Sequence, residues 1–219
     1  MTAANFIRAN TVLGFSPLVP EIALHLATEI TPIWQATEDW LRERALKPPF
    51  WAFAWPGGQA LARYVLDNPG IVAGKRVLDF AAGGGIAAIA CVRAGAEMVE
   101  AAEIDDLART AIALNAEVNG VCVGVSEGDV VGSACRWDVI LCGDVCYEAP
   151  MTTRIMPWLR QLAFDANVWI ADPGRAYVPK SGLSEIGRFL VPTSLELEDR
   201  TEREVTIYRV EPEPGPLMA

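Results

Sequence analysis

The sequence is poor in what a polyanion binder needs. Its 219 residues carry 28 Asp and Glu against 18 Lys and Arg, for a formal net charge of -10. A nucleic-acid backbone or an anionic membrane surface calls for a basic face, so no nucleic-acid or membrane partner is expected. Histidine is nearly missing, with His25 alone, and the five cysteines (Cys91, Cys122, Cys135, Cys142, Cys146) lack C-x-x-C spacing. Both facts argue against a zinc site or a disulfide framework, so no metal is expected and a reducing, cytoplasmic setting is. No basic segment leads into an apolar stretch at the N-terminus, and no run of about 18 uncharged apolar residues occurs. Neither a signal peptide nor a transmembrane helix is expected. What the chain has is apolar material, 52% of its residues, enough for a sizeable core.

Residues 1–46 read as a helical extension. Pro20 can open a helix, Ile22, Leu24, Leu26 and Ile30 supply an apolar face, and Pro32 interrupts it. A second helix is predicted over 33–46 and is stopped by Lys47-Pro48-Pro49-Phe50. From Gly74 onward short strands and helices alternate. Strands are predicted over 75–80, 98–103, 121–125, 137–142 and 167–171, and helices over 86–94, 106–119 and 151–163. The helix over 106–119 places Leu107, Ala111, Leu114 and Val118 on one face. The tail reads as two antiparallel strands, 194–198 and 204–210. This order implies an α/β, Rossmann-like sheet, mostly parallel with an antiparallel C-terminal strand and helices on both faces, filling a domain over 47–219.

Asp79, Glu103, Asp129, Asp144 and Asp172 each fall at or just after the carboxyl end of a predicted strand. In an open α/β sheet those ends share one edge, where ligands bind. Helix capping explains one or two such acids. Five together repel one another unless something cationic sits among them. The run Gly83-Gly84-Gly85-Ile86-Ala87-Ala88 matches G-x-G-x-x-A, and Glu103 follows Gly83 at the spacing of a dinucleotide fingerprint. Asp79, however, would face a pyrophosphate with no compensating cation. S-adenosylmethionine has no phosphate, and its ammonium and sulfonium suit an acid there. Gly83 and Gly85 then let the backbone approach the cofactor. Glu103 is placed to accept from the ribose hydroxyls, and Asp129 from the adenine amino group.

With these features the chain resembles the class I, seven-β-strand methyltransferases. Val77-Leu78-Asp79-Phe80-Ala81-Ala82-Gly83-Gly84-Gly85 is similar to their first motif, with Ala81 where a glycine is usual. Glu103-Ile104-Asp105, with Asn115-Ala116-Glu117-Val118-Asn119-Gly120, is similar to the second-strand motif and helix of protein methyltransferases. Three further segments resemble the electron transfer flavoprotein beta subunit lysine methyltransferases: Trp55-Pro56-Gly57-Gly58 within 50–61, Gly143-Asp144-Val145-Cys146-Tyr147, whose Asp144 and Tyr147 match a D-x-x-Y signature, and Asp172-Pro173-Gly174-Arg175. The resemblance covers roughly 48–178. It implies a seven-stranded sheet, S-adenosylmethionine as cofactor with Trp55, Gly83, Glu103 and Asp129 touching it, and a substrate-lysine site around Asp144 and Tyr147. It also implies methylation of lysines on a protein, the flavoprotein beta subunit or a ribosomal protein; separately, a monomer is expected.

Transfer needs the neutral amine, and forming it from lysine at neutral pH costs about 4 kcal/mol. Asp144 is expected to position the lysine with Tyr147 as a second wall, while the proton leaves to water. His25, the sole histidine, has no motif around it. A small-molecule N- or O-methyltransferase would share fold and cofactor motif, and an NAD-type nucleotide-binding module is the more distant rival.

Overall fold

The computed structural model describes residues 1–28, 47–194 and 198–213. Its centre is a seven-stranded sheet formed by β3 (Arg76–Phe80), β4 (Met98–Ala102), β5 (Gly124–Val125), β6 (Val139–Gly143), β7 (Asn167–Asp172), β8 (Leu183–Pro192) and β9 (Glu202–Val210). The spatial order is β5-β4-β3-β6-β7-β9-β8, with β9 alone running against its neighbours. The sheet is mostly parallel with an antiparallel C-terminal strand, as expected.

The helices follow from the same local signals. α2 (Pro56–Asp67) begins with proline at its first position, where the missing N–H costs nothing. α3 (Ile86–Arg93) starts at Gly85, which takes φ 80°. α4 (Asp106–Val118) is capped by Asp105, whose side chain accepts from Leu107 N. α5 (Ala149–Leu162) covers the other face. Alternate strand residues enter separate cores. Val77, Val139, Leu141, Ala171 and Ile207 pack with α2 and α3, whereas Leu78, Ile140, Cys142, Val168 and Ile170 pack with Ile155, Leu159 and Leu162 of α5. Strands buried on both faces are what βαβ crossovers produce.

Two expectations are corrected. The helix predicted from Pro20 is a strand: β1 (Val12–Ser16) and β2 (Val19–Leu26) form an antiparallel hairpin behind α1 (Ala3–Asn10). Ile22, Leu24 and Leu26 lie two apart, and that alternation is strand periodicity. Pro20 falls at the register shift opposite Phe15 and Ser16, where no ladder donor is needed. The hairpin is tied to α4 by Asn115 Oδ1, which accepts from His25 N at 2.8 Å, and by Asn119, which exchanges bonds with Ala23. The second correction concerns the C-terminal pair. β9 pairs with β8, whose Glu185, Gly187 and Arg188 mask the strand alternation in the sequence, and residues 195–197 of the strand predicted over 194–198 lie outside the described residues. Glu198 is instead buried among arginines. The helix predicted over 33–46 lies outside the described residues.

Candidate active site

Strand order reverses between β3 and β6, and at that switch point the carboxyl ends leave a crevice. Trp51, Trp55, Asp79, Gly83 and Asp144 line it, and no lysine or arginine does among the described residues.

One wall is the glycine loop. Asp79, buried in β3, accepts a hydrogen bond from Ala88 N at the start of α3 (2.9 Å to Oδ2). Burial pushes its carboxyl up to about 7 against that bond, and the charge of Glu103 adds to the rise. Glu103 follows β4 and grips the loop. Its Oε1 accepts from Gly83 N (2.9 Å) and its Oε2 from Ile104 N (3.1 Å), while burial raises its pKa. Spare lone pairs on both oxygens remain for further donors. Ala81, in the position where glycine is usual, takes φ 55°, a left-handed conformation that costs about 1 kcal/mol in a non-glycine residue. Asn115 Nδ2 donates to Gly84 O (2.8 Å), so one buried amide joins the loop, α4 and the hairpin.

The other wall is Asp144, just after β6 and also left-handed, at φ 56°. Its Oδ2 accepts from Gly57 N (2.6 Å) and Gly58 N (3.2 Å), the first free amides of α2. A Cβ on Gly57 would lie 2.5 Å from Asp144 Oδ2 and 2.5 Å from Ala171 O, so only glycine lets α2 come this close. Arg175 Nη2 approaches Asp144 Oδ1 at 3.2 Å and Glu198 Oε1 at 2.8 Å, and Arg203 holds Glu198 from the far side. Burial pushes Asp144 up to about 7, against the pull of Arg175 and with a push from Asp172. Asp172 ends β7 and accepts from Arg175 N (2.6 Å) through Oδ1.

Aromatic rings close the rim. Trp55 Nε1 donates to Phe50 O (2.8 Å), and the Phe50 ring stands 5.9 Å from both Trp55 and Tyr147. Tyr147 is 44% exposed. Of the expected site residues, Trp55, Asp79, Gly83 and Asp144 share the crevice. Gly85 caps α3 behind it, Glu103 braces the loop and Tyr147 stands on the rim. Asp129 lies apart from the crevice, ion-paired with Arg154 and accepting from Val131 N. His25 is buried in the hairpin beside Thr11, and burial lowers its pKa. Glu198 and Arg203 belong to the Asp144 wall without any local signal in the sequence.

Two carboxyls raised toward neutrality, with Arg175 reaching only Asp144 from behind the lining, fit a cationic ligand at the glycine loop better than a phosphate. A sulfonium and ammonium suit it.

Comparison with known proteins agrees. Residues 59–144 match the ribosomal protein L11 methyltransferase (PrmA) family. The electron transfer flavoprotein beta subunit lysine methyltransferase of Danio rerio is 37% identical over 89% of this chain and 78% of that protein. The protein of the same name from Xenopus laevis is 36% identical over 95% and 87%. Among solved structures, magnesium protoporphyrin IX methyltransferase from Synechocystis with bound S-adenosylmethionine has a TM-score of 0.53 at 21% identity, covering 70% of this chain and 79% of that one, a likeness of fold.

Proposed function

The chain belongs to the electron transfer flavoprotein beta subunit lysine methyltransferase family and is an S-adenosylmethionine-dependent protein-lysine methyltransferase, and on that premise we propose that it methylates lysines of the flavoprotein beta subunit. The carrying observation is Asp144, a carboxylate only 11% exposed that lines the crevice together with the glycine loop and Trp55.

The cofactor supplies an electrophilic methyl group on its sulfonium. The chain's residues bind and orient. In this reading Asp79 meets the cofactor's positive charge, and Gly83 and Gly85 let the backbone come close. Glu103 accepts from the ribose, and Trp55 lies along the cofactor. Asp129, which is paired with Arg154 and accepts from Val131 N, keeps acceptor lone pairs for the adenine amino group. Asp144 holds the lysine ammonium in line, and Tyr147 with Phe50 walls the aliphatic stem. No histidine is at hand to take the proton, because His25 is committed to the hairpin, so the proton leaves to water at the open rim. Orientation and exclusion of water then supply most of the acceleration.

Residues 47–219 are the methyltransferase domain in this reading, and the hairpin covers its crevice through Leu24 and Leu26. The enzyme acts as a monomer in a reducing, cytoplasmic compartment, in keeping with its five free cysteines. No helix among the described residues is long and apolar enough to cross a membrane. The match to the ribosomal protein L11 methyltransferase family over 59–144 makes a ribosomal protein the second candidate substrate. Mass spectrometry of each purified protein after incubation with enzyme and cofactor tests this. Methylated lysines on the flavoprotein subunit are expected, and label only on the ribosomal protein, or only in small molecules, would overturn the assignment.

A further inference from the structure

Resting on the reading of Asp144 as the lysine site, Arg175 stands out, because it already makes the contacts a substrate ammonium needs. Its Nη2 is 3.2 Å from Asp144 Oδ1, and its guanidinium carbon is 6.0 Å from the centre of the Trp55 ring. A carboxylate beside an aromatic face is a favourable setting for a cationic amine.

Arg175 is nonetheless under-committed. A guanidinium fixed for structure spreads its planar fork over its partners. Here one nitrogen, Nη2, serves both Asp144 and Glu198, and Nε is buried with no partner. The contact with Glu198 is the shorter, 2.8 Å against 3.2 Å. Glu198 itself cannot follow the arginine, since Arg203 pins it through both its carboxylate and its carbonyl oxygen.

We propose that Arg175 is a displaceable placeholder for the substrate ammonium. With no lysine in the crevice it balances Asp144. When a lysine enters, the guanidinium gives up Asp144 Oδ1 and stays on Glu198, which is within reach before the move begins. The exchange swaps one cation for another at Asp144, so the carboxylate always keeps a counter-charge. Arg175 is thus a positioning residue that sets how strongly an incoming ammonium must compete. The other groups facing Asp144 are Asp172, the Cys146 thiol and the amide N–H groups of Gly57 and Gly58, none of them a cation.

The test uses butylammonium, the cationic end of a lysine side chain, titrated into the S-adenosylhomocysteine complex at about pH 9, where Asp144 is ionised. Binding is followed by the indole N–H signal of Trp55, a readout independent of which protein is the natural substrate. R175M should tighten butylammonium binding by about threefold or more, because the competitor is gone, and E198Q should weaken it by a similar factor, because the arginine has lost its alternative seat. A purely structural arginine would give weaker binding in both variants, and that result would overturn the proposal, as would equal binding in all three proteins. If R175M fails to fold, judged by its S-adenosylhomocysteine affinity, R175Q replaces it, with tighter butylammonium binding expected and equal or weaker binding overturning the proposal. A flavoprotein left unmethylated by the wild-type enzyme would instead overturn the substrate assignment.

Discussion

The two walls of the crevice start from the same part, a carboxylate at a strand end with little exposure to solvent, and differ in what faces it. Asp79 has a backbone amide and another acid, Glu103, for neighbours. Asp144 has two helix amides and Arg175, which in turn leans on Glu198 and Arg203. Burial pushes both acids up to about 7, yet their means of neutralisation differ. The glycine-loop wall must take a proton or an external cation. The Asp144 wall brings its own cation and admits another only by exchange. In the proposed reading that difference sorts the two substrates of a methyl transfer: the cofactor comes to the wall without a cation, the lysine to the wall that has one.

The strongest way to break the contrast is at Asp144. D144N keeps an acceptor for the α2 amides and removes the charge. It should lower kcat/KM for the flavoprotein by about 100-fold through lost orientation, while S-adenosylhomocysteine affinity by calorimetry stays close to wild type. Equal losses in both would merge the two walls into one. G57A tests how the wall is assembled. Its new Cβ would sit 2.5 Å from Asp144 Oδ2, and overpacking of this kind should cost about 2 kcal/mol in chemical denaturation. On the opposite wall, D79N should weaken S-adenosylmethionine binding by about tenfold at pH 8. The smallest effect is expected from Y147F, about threefold in kcat/KM, since a half-exposed hydroxyl contributes one hydrogen bond at most.

Stability against pH follows from the same two acids. Their folded pKa values, about 7, lie above the ordinary 3.8. Between those limits the native state holds more protons than the unfolded chain, so its stability falls as pH rises through that window. D79N removes one of the two groups and should flatten the decline in Tm measured without ligand.

The glycine-loop wall was legible in the sequence because it is local. Asp79, the loop from Gly83 to Gly85 and Glu103 belong to one strand–turn–helix–strand unit, and spacing alone places them. The Asp144 wall was legible only in part. Asp144 itself stands out after its strand, but its amide donors lie at Gly57 and Gly58 and its charge balance runs through Glu198, segments joined only by the fold. Asp129 was placed by the same logic, and what the sequence did not show is its ion pair with Arg154 of α5, a partner twenty-five residues away. The hairpin was missed because Ile22, Leu24 and Leu26, with Ala23 and Ala27 beside them, fit two periodicities, and contact with α4 through Asn115 and Asn119 selects the strand.

The most direct test concerns Asp79. S-adenosylmethionine is titrated calorimetrically into the protein at about pH 6.5 in two buffers of different ionisation heat, which counts protons exchanged on binding. Net proton release is expected in the wild type, as the arriving positive charge ionises Asp79, with most of it gone in D79N. Binding that releases no protons, or takes them up, would contradict a wall that waits for an outside cation.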